Sequence, residues 1–270
     1  MTTARSSLTS RPPAVAGVFY DADPHELRAE VSRLLASARS LSGSGRPKAM
    51  IVPHAGYQYS GQVAATAFAT LGQSASTIER VVLMGPAHYV PVRGIAAPVV
   101  EAFETPLGPV RLDQDVLAAI SGLPAIAFTD EPHAAEHALE VELPFLQVLL
   151  PRFTAVPLLV GDTTPHGVAA VLSQVWGGPE TVLVISSDLS HFLEYETAQR
   201  RDAATADMIE NGDWTSLRPA DACGYLAIAG LLVESQRRGL RASRLALCNS
   251  GDQVGSRDRV VGYGAWVFWT

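Results

Sequence analysis

Seven short apolar runs constrain the fold of this chain more than any other feature. They are "KAMIVP" (Lys48–Pro53), "RVVLMG" (Arg80–Gly85), "AIAFT" (Ala125–Thr129), "AVPLLV" (Ala155–Val160), "TVLVISS" (Thr181–Ser187), "RLALCN" (Arg244–Asn249) and "YGAWVFW" (Tyr263–Trp269). Several lack the apolar–polar alternation of a strand with one wet face. They read as strands covered on both sides, the pattern of a sheet held between helices. Amphipathic segments separate them. Asp23 can cap a helix with Pro24 in its first turn, running through "HELRAEVSRLLASA". "GQVAATAFATL", "LEVELPFLQVLL", "HGVAAVLSQVW", "TAQRRDAATADMIENG" and "ACGYLAIAGLLVESQRRG" are further helix candidates. The alternation predicts an α/β fold: a three-layer α/β/α sandwich around a largely parallel or mixed central sheet.

At 270 residues the chain is long enough for one large domain, and no linker divides it. Residues 1–10 read as a loose tail and residues 11–270 as a single domain. The stretch from Gly94 to Leu112 carries three prolines and two glycines among short β runs, and predicts a hairpin or β excursion inside that domain.

Composition removes several functional classes. Hydrophobic content of 47% against 17% charged residues belongs to a packed protein and not a disordered one. A net charge of −7 without a dense Lys/Arg run argues against nucleic acid as a partner. Cys223 and Cys248 are too few for a disulfide framework and fit a reducing, cytoplasmic setting. No apolar run is long enough to span a membrane. The N-terminal "MTTARSSLTSRPPAVAG" lacks the continuous apolar stretch of a secretory signal.

Polar chemistry gathers where strands stop. His54 in "VPHAGY", His88 in "LMGPAHY" and His191 in "SSDLSHF" each follow an apolar strand, and His137 sits in "AAEHALEVELP". If the strands before His54, His88 and His191 are parallel, their carboxyl ends share one sheet edge and the three imidazoles converge. Imidazole is the commonest metal ligand and also moves protons near neutral pH. Asp188 precedes His191 by three residues; if the segment turns helical, the two share a face. It could orient His191, ligate beside it or cap a helix. The plainer readings are a strand-end histidine as a structural residue, Glu140 and Glu142 on a solvated helix face, and both cysteines as small buried hydrophobes. His25, His133 and His166 fall in turn or helix-start contexts and read as surface residues. There is no Gly-x-Gly-x-x-Gly after the first strand, no P-loop, no Gly-x-Ser-x-Gly and no Cys-x-x-Cys.

The motifs "AGVFYDADP", "PHAGYQYSG", "GPAHY", "EHALEVELPFLQ", "SSDLSHF" and "NSGDQVGSRDRVVGYGAWVF" occur in this order. Together they resemble the Memo family, whose microbial members are called AmmeMemoRadiSam system protein B, over nearly the whole chain. That family is similar to the LigB-type catalytic subunit of class III extradiol dioxygenases, which hold non-haem Fe(II) with two histidines and a carboxylate. The resemblance implies His54 and His88 as metal ligands, with His191 as a base beside Asp188. It also implies a cysteine as third ligand in the loop before the last strand. Here that loop reads "NSGDQVGSRD" and holds no cysteine; Gln253 and Asp252 stand near the position, and Cys248 lies upstream. Asp252 would restore a two-histidine, one-carboxylate face, while Asp188 or His191 could ligate in its place. Tyr57, Tyr89, His137 and Glu140 lie within the shared motifs and are expected to line a substrate pocket.

The implied cofactor is a divalent metal, Fe(II) first, with Zn(II) or copper as alternatives. The implied function is an oxygenase or oxidase of unknown substrate. The competing expectations are a non-catalytic binding or adaptor protein and a metal-dependent hydrolase. A small molecule or peptide, a radical-SAM protein and an AMMECR-type protein are the partners the resemblance suggests.

Overall fold

The computed structural model describes residues 8–38, 45–253 and 256–270. Among the described residues twelve strands form in chain order: β1 (Ser10–Arg11), β2 (Pro47–Val52), β3 (Arg80–Pro86), β4 (Ile95–Ala97), β5 (Ala102–Thr105), β6 (Gly108–Arg111), β7 (Ile126–Phe128), β8 (Thr154–Val160), β9 (Thr181–Ser186), β10 (His191–Leu193), β11 (Ala242–Asn249) and β12 (Val260–Trp269). The helices are α1 (Pro24–Ser37), α2 (Tyr57–Phe68), α3 (Gln114–Ile120), α4 (Glu131–Ala134), α5 (Leu143–Leu149), α6 (Pro165–Val175), α7 (Tyr195–Asn211), α8 (Tyr225–Arg237) and α9 (Ser250–Gln253). Each of the seven apolar runs carries a strand.

The main sheet runs β10-β12-β2-β9-β3-β8-β4-β7, with β11 paired along β12. β2, β9, β3 and β8 are mutually parallel. Their residues are buried almost without a break, which is why the sequence shows no alternation there. β12 and β4 flank this parallel core in antiparallel sense, so the sheet is mixed. Helices flank it: α1, α2 and α5 pack on one another, as do α6 and α8. Gly230 permits the close α6–α8 approach, since a Cβ there would stand 2.2 Å from Val168 Cγ1. The excursion divides in two. β4 joins the main sheet, whereas β5 and β6 form a hairpin that pairs with β1 in a small second sheet.

Strand order and chain order part at one point that matters for function. β9 inserts between β2 and β3, although it follows both in sequence. The carboxyl ends of β2, β9 and β3 are therefore adjacent, and the segments leaving them enter one crevice.

Four local expectations are corrected. "SSDLSHF" does not turn helical; it stays extended and enters β10, paired with β12. Glu140 and Glu142 are buried, in a short 3-10 turn that leads into α5. His133 is buried too, with its ring nitrogen 3.2 Å from the Ala96 carbonyl, while His25 and His166 are exposed. Of the expected tail, residues 1–7 lie outside the described residues. Thr9 donates its amide to Glu101, and Ser10 pairs with Ala102. Among the described residues no helix is long and apolar enough to cross a membrane.

Candidate metal centre

His54 leaves β2 through Pro53 and is buried, 2% exposed. Its amide donates to Asp188 Oδ1 at 2.8 Å, and its Nδ1 lies 2.8 Å from Ser186 Oγ. The Ser186 hydroxyl is 2.7 Å from the Ala138 carbonyl, which can only accept. Ser186 therefore spends its proton there and accepts from His54 Nδ1–H, leaving a lone pair on Nε2. Glu142 Oε1 lies 2.9 Å from the same hydroxyl. Burial holds the Glu142 carboxyl well above its ordinary range, against the pull of the Ser186 hydroxyl. Burial, with His88 nearby, pushes His54 down to about 3, so the ring is neutral and free to ligate.

His88 follows β3 and is fixed by Glu136. The carboxylate takes the His88 amide on Oε2 at 2.6 Å and the ring Nδ1 on Oε1 at 2.8 Å. It also accepts the amides of His137 and Ala138, at 2.9 and 3.0 Å. Burial works to raise Glu136, but these bonds, His88 foremost, outweigh it and hold the group at about 2. An anion on Nδ1–H leaves His88 Nε2 bare for the crevice, the usual device that orients a ligating imidazole.

The third donor is Cys223, in the turn that leads into α8. Its Sγ lies 3.3 Å from His54 Nε2. Donor atoms of His54, His88 and Cys223 all fall within 4.8 Å of one another, and so could hold a metal ion. A nitrogen at 2.0–2.1 Å and a sulfur at 2.3 Å from one tetrahedral ion stand about 3.6 Å apart, so the separation fits with little movement. Burial pushes the Cys223 thiol up to about 12; without a cation it stays a thiol and donates to His54. A cleft of about 380 Å³, lined by Ala87, Asp162, Cys223 and Tyr225 among others, opens beside the sulfur.

Asp188 and His191 flank this cluster. Asp188 is buried, and burial raises its carboxyl against the pull of His191 and the His54 amide. His191 is exposed on β10; its Nδ1 donates to the Leu189 carbonyl at 2.8 Å, so Nε2 is the free nitrogen. His137 stacks on His88 with ring centres 4.9 Å apart and meets His54 edge-on at 5.4 Å. Its Nδ1 lies 3.2 Å from the hydroxyl of exposed Tyr89. Burial, with His54 beside it, pushes His137 down to about 4.

Three expected residues stand elsewhere. Asp252, on α9, accepts the Tyr195 hydroxyl and, at 3.0 Å, the Asn249 amide, and belongs to neither histidine cluster. Tyr57 points into the core: its hydroxyl donates to the Val141 carbonyl at 2.7 Å and its ring packs on Phe145. Glu140, fully buried, pins the N-terminal segment through Arg11, the amides of Ala14 and Val15, and the Tyr20 hydroxyl. The residues that motif reading missed are Cys223 and Glu136. Cys223 had one signal: it is the other cysteine, set immediately before a helix. Glu136 adjoins His137, but nothing in its spacing ties it to His88, which precedes it by 48 positions.

Fold and site define an α/β/α protein with a histidine–cysteine cluster at the carboxyl edge of its sheet. The chain belongs to the Memo-like family, whose model matches residues 11–267. It is 36% identical over 278 residues to a MEMO1 family protein of Methanosarcina mazei, covering 95% of this chain and 98% of the relative. A MEMO1 family protein of Methanosarcina acetivorans is 37% identical over 280 residues, with 95% and 98% covered. One of Saccharolobus solfataricus is 32% identical over 282 residues, with 96% and 99% covered.

Proposed function

We propose that this chain is a metal-dependent enzyme of the dioxygenase-like type, with one ion held by His54 Nε2, His88 Nε2 and Cys223 Sγ. The observation that carries the reading is the approach of three donors of complementary type, each with its proton or orientation already fixed. A bound ion would supply Lewis acidity and, for iron or copper, redox capacity. The residues of the chain do the rest. Ser186 and Glu136 aim the two imidazoles. Asp188 holds the His54 backbone. His191, with a bare Nε2 beside the cluster, is the residue that takes a proton from a substrate bound at the ion. The donor set of two nitrogens and a sulfur is softer than two nitrogens and a carboxylate, and favours Zn(II), Cu(I) or iron over Mg(II) or Mn(II).

A non-catalytic binding role is the second reading. It is favoured by exposed Val18, Tyr89 and Phe192, all large apolar side chains, of which Tyr89 and Phe192 adjoin site histidines. Titration of untagged protein with Zn(II) and, anaerobically, with Fe(II) tests the first reading. Stoichiometric binding lost in Cys223→Ser and in His54→Ala supports it; equal binding by wild type and both variants overturns it.

A further inference from the structure

Asp202 is a carboxylate that a helix would ordinarily turn to water. It lies on the inner face of α7 and is 2% exposed. Among the described residues no lysine or arginine pairs with it; its neighbour Arg201 reaches Asp221. Burying a carboxylate without a cation is costly, so its contacts carry the explanation. Oδ1 accepts the Ser190 amide at 3.0 Å, and Oδ2 has no hydrogen-bond partner. Oδ2 is lodged against Gly262, where a Cβ would stand 2.0 Å from it. β12 grips the extended segment Leu189–Ser190 from the other side: Gly262 N–H donates to the Ser190 carbonyl, and Leu189 N–H to the Gly262 carbonyl, both at 2.8 Å.

The gripped segment delivers His191. Its ring Nδ1 donates back to Leu189, two residues earlier, so ring orientation depends on the path of residues 189–191. The next residue, Phe192, has φ +59°, the only positive value at a non-glycine among the described residues. Such a conformation persists only where its surroundings enforce it. The β10–β12 register also shifts between His191 and Leu193.

We propose that Asp202 is the positioning residue of His191: through the Ser190 amide it holds the extended segment 189–191 whose path leaves His191 Nε2 bare. The inference rests on reading His191 as the residue that handles the proton, and it concerns orientation, not metal ligation. Asp202 touches none of His54, His88 or Cys223 by any hydrogen bond described, so the two readings fail separately.

The test is the ring ¹⁵N signature of His191 by NMR in the full chain, with Zn(II) affinity measured alongside. Wild type shows the Nδ1–H form. In Asp202→Ala the signature moves toward a mixture of the two neutral forms. Asp202→Asn keeps an acceptor for the Ser190 amide and restores the wild-type pattern. Gly262→Ala, which pushes on Oδ2 without changing Asp202, shifts it as Asp202→Ala does, and stands in should Asp202→Ala not fold. Zn(II) affinity stays at the wild-type value in each folded variant. An unchanged His191 signature in folded Asp202→Ala or Gly262→Ala overturns the proposal. So does an Asp202→Asn variant that shifts as far as the alanine. Absence of Zn(II) binding in wild type sinks the metal reading while leaving the His191 signature to decide this one.

Discussion

Glu136 clasps His88 at two points, taking the backbone amide on one oxygen and the ring Nδ1 on the other, at 2.6 and 2.8 Å. One carboxylate thus sets both the path of the chain after β3 and the orientation of its imidazole. Two further amides, from His137 and Ala138, hold the carboxylate itself. Glu136→Gln keeps the shape but loses the charge, and turns one oxygen into a donor facing other donors. Removing such a partner typically costs 10–100-fold in metal affinity. Glu136→Gln is therefore expected to weaken Zn(II) binding by at least about tenfold, read by competition with a chromophoric chelator. Wild-type affinity in that variant would show that the clasp does not serve the ligand.

In the proposed site the third donor is a thiol that comes from before α8, not from the loop before β12. Cys223→Ser is expected to lower Zn(II) affinity by at least about 100-fold, the upper end of what an outer partner costs. Cys248→Ser and Asp252→Ala should bind as wild type does, since Cys248 lies in β11 and Asp252 is committed to Tyr195 and Asn249. Binding lost in Asp252→Ala and retained in Cys223→Ser would restore the two-histidine, one-carboxylate arrangement.

A second group of donors, His88, Glu136 and His137, also falls within reach of one ion. Glu136 already accepts three amides and the His88 ring, so its oxygens are committed to hydrogen bonds that ligation would break. One ion per chain is expected, not two. Equilibrium dialysis against Zn(II) followed by elemental analysis checks it; a reproducible ratio of two would make His88 a bridging ligand.

The layers of this fold were legible because burial on both faces leaves a mark: β2, β3, β8 and β9 each carry an unbroken apolar run through their interior. His54 and His88 were legible for a related reason, since a polar residue directly after such a run must sit at the sheet edge. The family resemblance added roles for both. Neither route reached Cys223, because α8 does not grow out of a sheet strand and its start is brought to the crevice by packing on α6. The same holds for Glu140 and Glu142. As carboxylates near a helix start they look solvated, and only the N-terminal segment for one and Ser186 for the other explain their burial. Long-range partners of this kind leave no spacing to read.

Packing makes a prediction of its own at the α6–α8 contact. Gly230→Ala places a methyl 2.2 Å from Val168 Cγ1, with the Val168 Cβ also inside contact distance. Both helices are long and buried there, so neither can yield cheaply. A loss of about 1–3 kcal/mol in urea unfolding is expected. The double variant Gly230→Ala, Val168→Ala should recover part of it, because the second change removes the Cγ1 clash while the Cβ, 2.4 Å from the new methyl, remains. No recovery would mean that the residue-168 Cβ or the backbone, not Cγ1, sets the cost.

Asp202 provides the pH dependence with a defined sign. Burial raises its carboxyl from an ordinary 3.8 to about 6. Below pH 4 the group is protonated in both the folded and unfolded chain, and contributes no difference. Between about 4 and 6 the folded chain keeps a proton that the unfolded chain has released, so stability falls as pH rises through this window. Above 6 the whole penalty, roughly 3 kcal/mol, remains. Asp202→Asn has no proton to lose. Its stability relative to wild type should therefore climb from pH 4 to pH 7 by an amount of that order, measured by urea unfolding at each pH. Glu136 acts in the opposite sense: its contribution is lost as pH falls from about 4.5 through about 2, and because wild type and Asp202→Asn share it, it cancels in the comparison. Parallel profiles for wild type and Asp202→Asn would mean that the folded chain binds no extra proton at Asp202. A stabilised variant at pH 7 would show that the chain keeps this carboxylate at a cost in stability, as expected of a group retained for where it holds His191.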